Sequence, residues 1–260
     1  MAQFSVNRGR HLGSSTPRSD LHEVIMVADR NGNILNSFGS ASNIPIAAGN
    51  VSGYSHINKF GYQGTDGGTG TIWDANGTTA DYPYPTAGVA SSSSTSGDDT
   101  GEGMEIQGLD ENYNPLVVTT TVGATTTETF SRIFRVRKTT ATNVGVISVN
   151  IGGSLAAQIL AGNGQTLMAV YTIPAGKTGY LVKFQGSMDK QNVDVKFKLF
   201  ARPFGGAFNL KGQWGTQGGN AVTYDYPVPL KFEEKTDLKV NVDSGTAGHG
   251  AIFDIILVDN

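Results

Sequence analysis

The chain has 260 residues, of which 38% are hydrophobic and only 16% charged, with 35 glycines and no cysteine. That length suffices for one large β domain, and a mixture rich in Gly, Ser and Thr disfavours long amphipathic helices. The missing thiols exclude disulfides, thiolate metal sites and cysteine chemistry. A net charge of -3 supplies no field that would gather nucleic acid through its phosphates, so no nucleic-acid partner is expected.

Residues 1–20 set Arg8, Arg10 and Arg18 against Asp20 among Ser, Gly and Pro. Such a segment cannot bury enough apolar surface to order itself. It reads as a flexible basic arm, and its three arginines are candidate interface residues for docking on a neighbouring subunit or an acidic surface. The arm lacks the apolar core of a signal peptide, and no run of roughly 18 apolar residues follows, so synthesis in the cytoplasm and no membrane partner are expected.

Residues 21–55 form an anchoring segment. In "LHEVIMVADRNGNILNSF" two apolar runs flank Asn31-Gly32, a pair that supplies the positive φ angles of a tight hairpin. Asp29, Asn31 and Asn33 imitate the start of a calcium loop, but Ile34 occupies the position where that loop needs glycine, which removes the metal reading.

The remainder, 56–260, is expected to be all-β: an antiparallel β-sandwich of jelly-roll type carrying the arm and hairpin as extensions. "HINKFGYQGTDGGTGTIWD" leads into it as a junction, with Phe60 and Trp73 as apolar pins. From 61 to 110 the sequence is loop-like and predicts a loop-rich edge. Proline cannot donate to a sheet ladder, so "YPYP" (Tyr82 to Pro85) belongs on an edge or in a connection, with Trp73, Tyr82 and Tyr84 covering a sheet end. "NPLVVTTTVGATTTETFSRIFRVRK" has a two-strand signature broken at Gly123. "VDVKFKLF" alternates Val193, Val195, Phe197 and Leu199 against Asp194, Lys196 and Lys198, one face for a core and one for water. "AIFDIILVDN" suits a final strand between two layers or between subunits, while "SLAAQILAGN" is compatible with a short helix or a strand. Turn signals recur at the spacing of a sandwich or barrel.

No reaction centre is legible. "AGKTGY" matches the end of a phosphate-binding loop, but Tyr171 replaces the upstream glycine and a strand pattern follows, so a tight turn is expected. His11, His22, His56 and His249 have no metal-pair spacing. Asp98, Asp99, Glu102, Glu105, Asp110 and Glu111 crowd an acidic, glycine-rich stretch that suits solvated loops better than the paired carboxylates of a glycosidase or the oxygen ligands of a calcium ion. The expectation is a non-enzyme without cofactor or metal. Arg132, Arg135, Arg137 and Lys138 form the strongest basic cluster. Arg135 and Arg137, sharing a strand face, are further interface candidates, since a basic face beside an acidic loop suits a head-to-tail contact between copies. Trp73, Trp214 and Tyr224, with Tyr82, Tyr84 and Tyr226 nearby in sequence, are candidates for stacking on sugar rings.

The order "HINKFG", "TIWD", "GLDENYNP", "FSRIFRVRK", "NVGVISV", "YTIPAGKTGYL" and "PLKFEEKTDLKV", and above all "GNGQTLMAVYTIPAGKTGYL", resembles a group of virion structural proteins of tailed bacteriophages, particularly those of marine cyanobacteria. The resemblance runs from Tyr54 to the C-terminus. It implies a β-rich building block of the particle, located in the virion, with a capsid-decoration, neck, tail or fibre station and no catalytic residues. It also implies partners among the other virion proteins and a homo-oligomer, with a trimer favoured. The alternative expectation is a module that recognises host-surface polysaccharide, followed by a polysaccharide hydrolase.

Overall fold

The computed structural model describes residues 43–64, 68–243 and 247–260. The chain divides into two compact units, Met1–Ser52 and Gly53–Asn260. In the first, the described residues contain one short helix, α1 (Asn43–Ala47). The arm with Arg8, Arg10 and Arg18, and the hairpin at Asn31-Gly32, lie outside the described residues.

The second unit is built from antiparallel strands. It opens with β1 (Tyr54–Gln63) and β2 (Gly70–Thr71). Next come β3 (Gly88–Ser94), β4 (Gly103–Asp110), β5 (Pro115–Thr121), β6 (Thr125–Lys138), β7 (Ile147–Ile151), β8 (Ser154–Ile159) and β9 (Val170–Thr172). It closes with β10 (Lys177–Met188), β11 (Asp194–Arg202), β12 (Asn209–Gln217), β13 (Ala221–Phe232), β14 (Asp237–Asp243) and β15 (His249–Asp259).

Strand β1 pairs with β15, β2 with β14, β10 with β13 and β11 with β12. Four nested antiparallel pairs make one long hairpin. Pairing of β10 with β15 and of β11 with β14 rolls that hairpin into two sheets, β1-β15-β10-β13 and β12-β11-β14-β2, with β9 beside the other half of β14. This nesting is the jelly-roll pattern, and the antiparallel sandwich read from the sequence is the observed fold. Between the second and third strands of the roll the chain inserts a six-stranded sheet, β5-β4-β6-β3-β7-β8.

Two apolar cores result. Leu181, Phe184, Phe253, Ile255 and Leu257 of one sheet of the roll pack against Val195, Phe197, Leu199, Leu238 and Val240 of the other. The second core lies on the inserted sheet, where Met104, Ile106, Phe130, Ile133, Val136 and Ile147 are covered by Trp73, Tyr82 and Met168.

The local pattern explains most elements. In β11 the residues Val195, Phe197, Leu199 and Ala201 are buried in strict alternation, as the period of a pleated strand demands. The run "AIFDIILV" becomes the central strand β15. Its Phe253, Ile255 and Leu257 enter the core while Asp254 faces outward and accepts from Asn58. "SLAAQI" is strand β8, and "YPYP" is a connection. The loop-like 61–110 region contains β3 and β4. The serine run of β3 has weak intrinsic strand preference, but ladders to β6 on one side and β7 on the other hold it in the middle of the sheet. The junction His56–Asp74 contributes the first two strands of the roll itself. Gly61 ends "HINKFG" because a Cβ there would lie 2.3 Å from the Ala169 nitrogen and 2.7 Å from the Ile72 carbonyl oxygen.

Roll and insertion are joined by a buried ion cluster. The Arg132 Nε of β6 donates to Asp237 Oδ1 at 2.8 Å and its Nη2 to Oδ2 at 3.1 Å. Arg202 of β11 donates to Oδ2 through Nε at 3.0 Å, and the Thr172 hydroxyl of β9 donates to Oδ1 at 2.7 Å. Asp237→Ala leaves the buried Arg132 guanidinium and the half-buried Arg202 without their anion. It is expected to destabilise the fold by about 3–5 kcal/mol in urea denaturation; a loss below about 1 kcal/mol, the scale of an exposed pair, would contradict this account.

Candidate functional site

The interface arginines of β6 part ways in the structure. Arg137 lies opposite Glu105 of β4 and forms a fork with it, Nε to Oε1 at 2.8 Å and Nη2 to Oε2 at 3.0 Å. These bonds, followed by one from the Gln107 side chain, hold the Glu105 carboxyl down at about 2. The basic face and the acidic stretch are thus matched within one chain at this point. Arg135, opposite Gln107, donates from Nη2 to Gln165 Oε1 at 2.9 Å, and its Nε is buried without a partner.

The aromatic candidates form two separate groups. Trp73 is fully buried, edge-on to Tyr82 with centroids 5.2 Å apart, and its Nε1 donates to the Thr79 carbonyl at 3.0 Å. Tyr82 is edge-on to Tyr84 in turn. These rings cover the inserted sheet, and Trp73 has no solvent-facing side to offer a ligand. Trp214 and Tyr224 lie on β12 and β13, where each is in register with a core phenylalanine, Phe197 and Phe184 respectively. They therefore point into the open side of the sandwich. Trp214 stacks on Phe184 at 4.0 Å and 15°, so one of its faces is taken; Tyr224 is 43% exposed and edge-on to Tyr226.

The acidic stretch is occupied by turn chemistry. Asp99, buried, accepts from the Ser94 hydroxyl at 2.6 Å and from the Val144 and Gly145 amides at 2.8 Å each. Asp110 accepts from the Asn112 and Asn114 amides, closing the β4–β5 turn. Among the described residues no three His, Asp or Glu side chains converge as metal ligands. His56 contacts Asp254 at 3.3 Å, His249 is buried against Gln63, and His11 and His22 lie outside the described residues. "AGKTGY" is a turn at Gly176, φ 71°, entering β10.

Two features carried no signal in the sequence. Lys59, inside "HINKFG", is buried, and its Nζ donates to the Phe134 carbonyl. Together with Arg135 it borders a cavity of about 220 Å³. Asp74, inside "TIWD", accepts the Leu167 amide on Oδ2 while its Oδ1 is buried without a partner.

No known family model matches the chain, and no curated protein sequence does. Solved structures of infectious bursal disease virus particles align with it weakly. The VP2 subviral particle does so at 9% identity and a TM-score of 0.23 over 80% of this chain and 72% of that one. The Gx strain gives 10% and 0.19 over 79% and 75%, and the T=1 particles 9% and 0.19 over 80% and 74%. TM-scores this low carry no argument about this chain.

Burial raises the Asp74 carboxyl from 3.8 to about 8, against the lowering effect of the Leu167 amide. Between those values the folded chain keeps a proton that the unfolded chain has lost, so stability falls as pH rises through that window. Asp74→Asn is expected to flatten this fall. Denaturant midpoints at about pH 5 and about pH 8 check it, and an unchanged slope in the variant would contradict it.

Proposed function

We propose that the chain is a structural subunit of a virus particle of the tailed-bacteriophage kind. It oligomerises through the open side of its jelly roll and docks on another virion protein, of the shell, neck or tail, through its basic arm. The observation that carries this reading is the concentration of exposed apolar side chains between Phe204 and Val228. Phe204 is 65% exposed, Leu210 50%, Tyr224 43% and Val228 80%. Leu210, Tyr224 and Val228 lie along β12 and β13, the strands that end the two sheets on the same side of the sandwich, and Phe204 lies in the turn that leads from β11 to β12. Edge strands with apolar decoration are natural assembly surfaces. Strand β13 is blunted: opposite the step from Leu181 to Lys183 the residues Tyr226 to Pro229 bulge out of the ladder, and Pro227 and Pro229 have no N–H to give. That device suits a contact made by side chains, with Val228 at its tip, rather than open-ended strand addition.

The jelly roll is a scaffold of viral capsid and lectin domains alike, so the fold by itself does not choose between them. The resemblance of "GNGQTLMAVYTIPAGKTGYL" to tailed-phage virion proteins supports the first. A sugar-recognition reading retains one observation in its favour, the exposed Tyr224 beside Trp214. It predicts retention on host-surface polysaccharide that is lost in Tyr224→Ala and kept in Val228→Asp.

Assembly is tested by light scattering on the purified chain. The expected result is a closed homo-oligomer, a trimer by the resemblance, that dissociates in Val228→Asp and Leu210→Asp. Exposed positions such as these change fold stability by only about 0.5 kcal/mol. A monomeric parent chain, or variants that remain fully assembled, would overturn the edge as the interface.

A further inference from the structure

We infer that the cavity between β1 and β6 is a binding site for a small oxyanion of the phosphate or sulfate class, held by Lys59 and Arg135. The cavity measures about 220 Å³ and forms where β1, the edge strand of the roll, approaches Phe134 and Arg135 of the inserted sheet and Tyr171 of β9. Its rim residues His56 and Asn58 are exposed, whereas Lys59, Thr166 and Tyr171 below them are buried, so the site is a recess that opens to solvent. Pockets that enclose drug-sized ligands start at roughly 300 Å³, so this one suits a small ion rather than a sugar chain or nucleotide.

The charge in the recess is unbalanced. Lys59 and Arg135 both line it, and no carboxylate does. The acids that reach the lining residues already have partners: Glu105 takes the Arg137 fork and the Gln107 amide, and Asp254 takes His56 and Asn58. The Lys59 ammonium donates to the Phe134 carbonyl, one acceptor for three protons. Arg135 spends Nη2 on Gln165 and leaves Nε buried and unpaired. Buried donors left without an acceptor are costly unless something accepts from them. A multidentate oxyanion offers several acceptors and negative charge at once, and guanidinium is the side chain best shaped to hold it. Burial, and then the neighbouring Arg135, lower the Lys59 ammonium to about 7; a bound anion would restore its proton. Thr166, one residue after the Gln165 that steers Arg135, lines the same recess, with its hydroxyl oxygen accepting the Val136 amide at 3.1 Å.

This site does not depend on the virion reading. Its test follows thermal unfolding of the full chain as inorganic phosphate is raised, with chloride at matched ionic strength as control, and measures phosphate affinity by calorimetry. The expected result is saturable stabilisation by phosphate that chloride does not reproduce, with binding weakened about tenfold or more in Arg135→Gln or Lys59→Met. Removing a buried cation in favour of an apolar side chain of similar length is tolerated by folds, so Lys59→Met remains readable if Arg135→Gln misfolds. Equal stabilisation by chloride, absence of a phosphate heat, or unchanged affinity in the folded variants would overturn the assignment.

Discussion

Asp237 brings together strands from different parts of the fold, and the architecture depends on that meeting. Its carboxylate is the shared anion of Arg132 and Arg202, with Thr172 donating a third kind of contact. Tyr84 lies between the two guanidinium groups, 5.3 Å from one and 4.5 Å from the other, and Phe208 faces Arg202 at 4.6 Å. Aromatic faces partly offset the excess positive charge and keep water out. A buried anion shared by one buried and one half-buried cation is a poor source of net stability compared with an apolar core, yet it is specific about geometry. Only one placement of β6 against the start of β14 satisfies all of these donors, so the cluster fixes where the inserted sheet stands on the roll.

That placement creates the other notable features of the molecule. With β6 locked beside the roll, its Phe134 and Arg135 come opposite β1, which makes the recess at Lys59. The roll itself is closed within by its paired strands and left open along β12 and β13, where Trp214 and Tyr224 plug the gap and Val228 projects beyond it. The inserted sheet uses its charges internally, as the Glu105–Arg137 fork shows. Along the open edge Leu210, Tyr224 and Val228 leave apolar surface exposed.

Much of this was legible from residue order, and the illegible parts have a common cause. Strand β11 announced itself because its period matches one buried face, and the break at Gly123 between β5 and β6 because glycine at φ 92° is a turn requirement. Trp73, Tyr82 and Tyr84 were readable as a sheet cover, although not the depth that removes Trp73 from any surface role. What failed to show were long-range matches. The serines of β3 become a central strand only through partners as distant as Asn150 and Thr125. Asp237 looks like an ordinary turn acid in "EEKTDLKV" until Arg132, 105 positions away, reaches it. Lys59 reads as a solvated strand lysine until β6 covers it. Local pattern encodes periodicity and turns; partners brought together by topology leave no local trace.

The copy number of this chain in purified particles tests most directly the proposed role as a building block of a particle. Quantitative mass spectrometry against the major shell protein should find the chain at a fixed stoichiometry: comparable with the shell protein for a decoration role, or a small symmetry-set number for a neck, tail or fibre role. A chain absent from purified particles, or present at a ratio that varies from preparation to preparation, would contradict the claim.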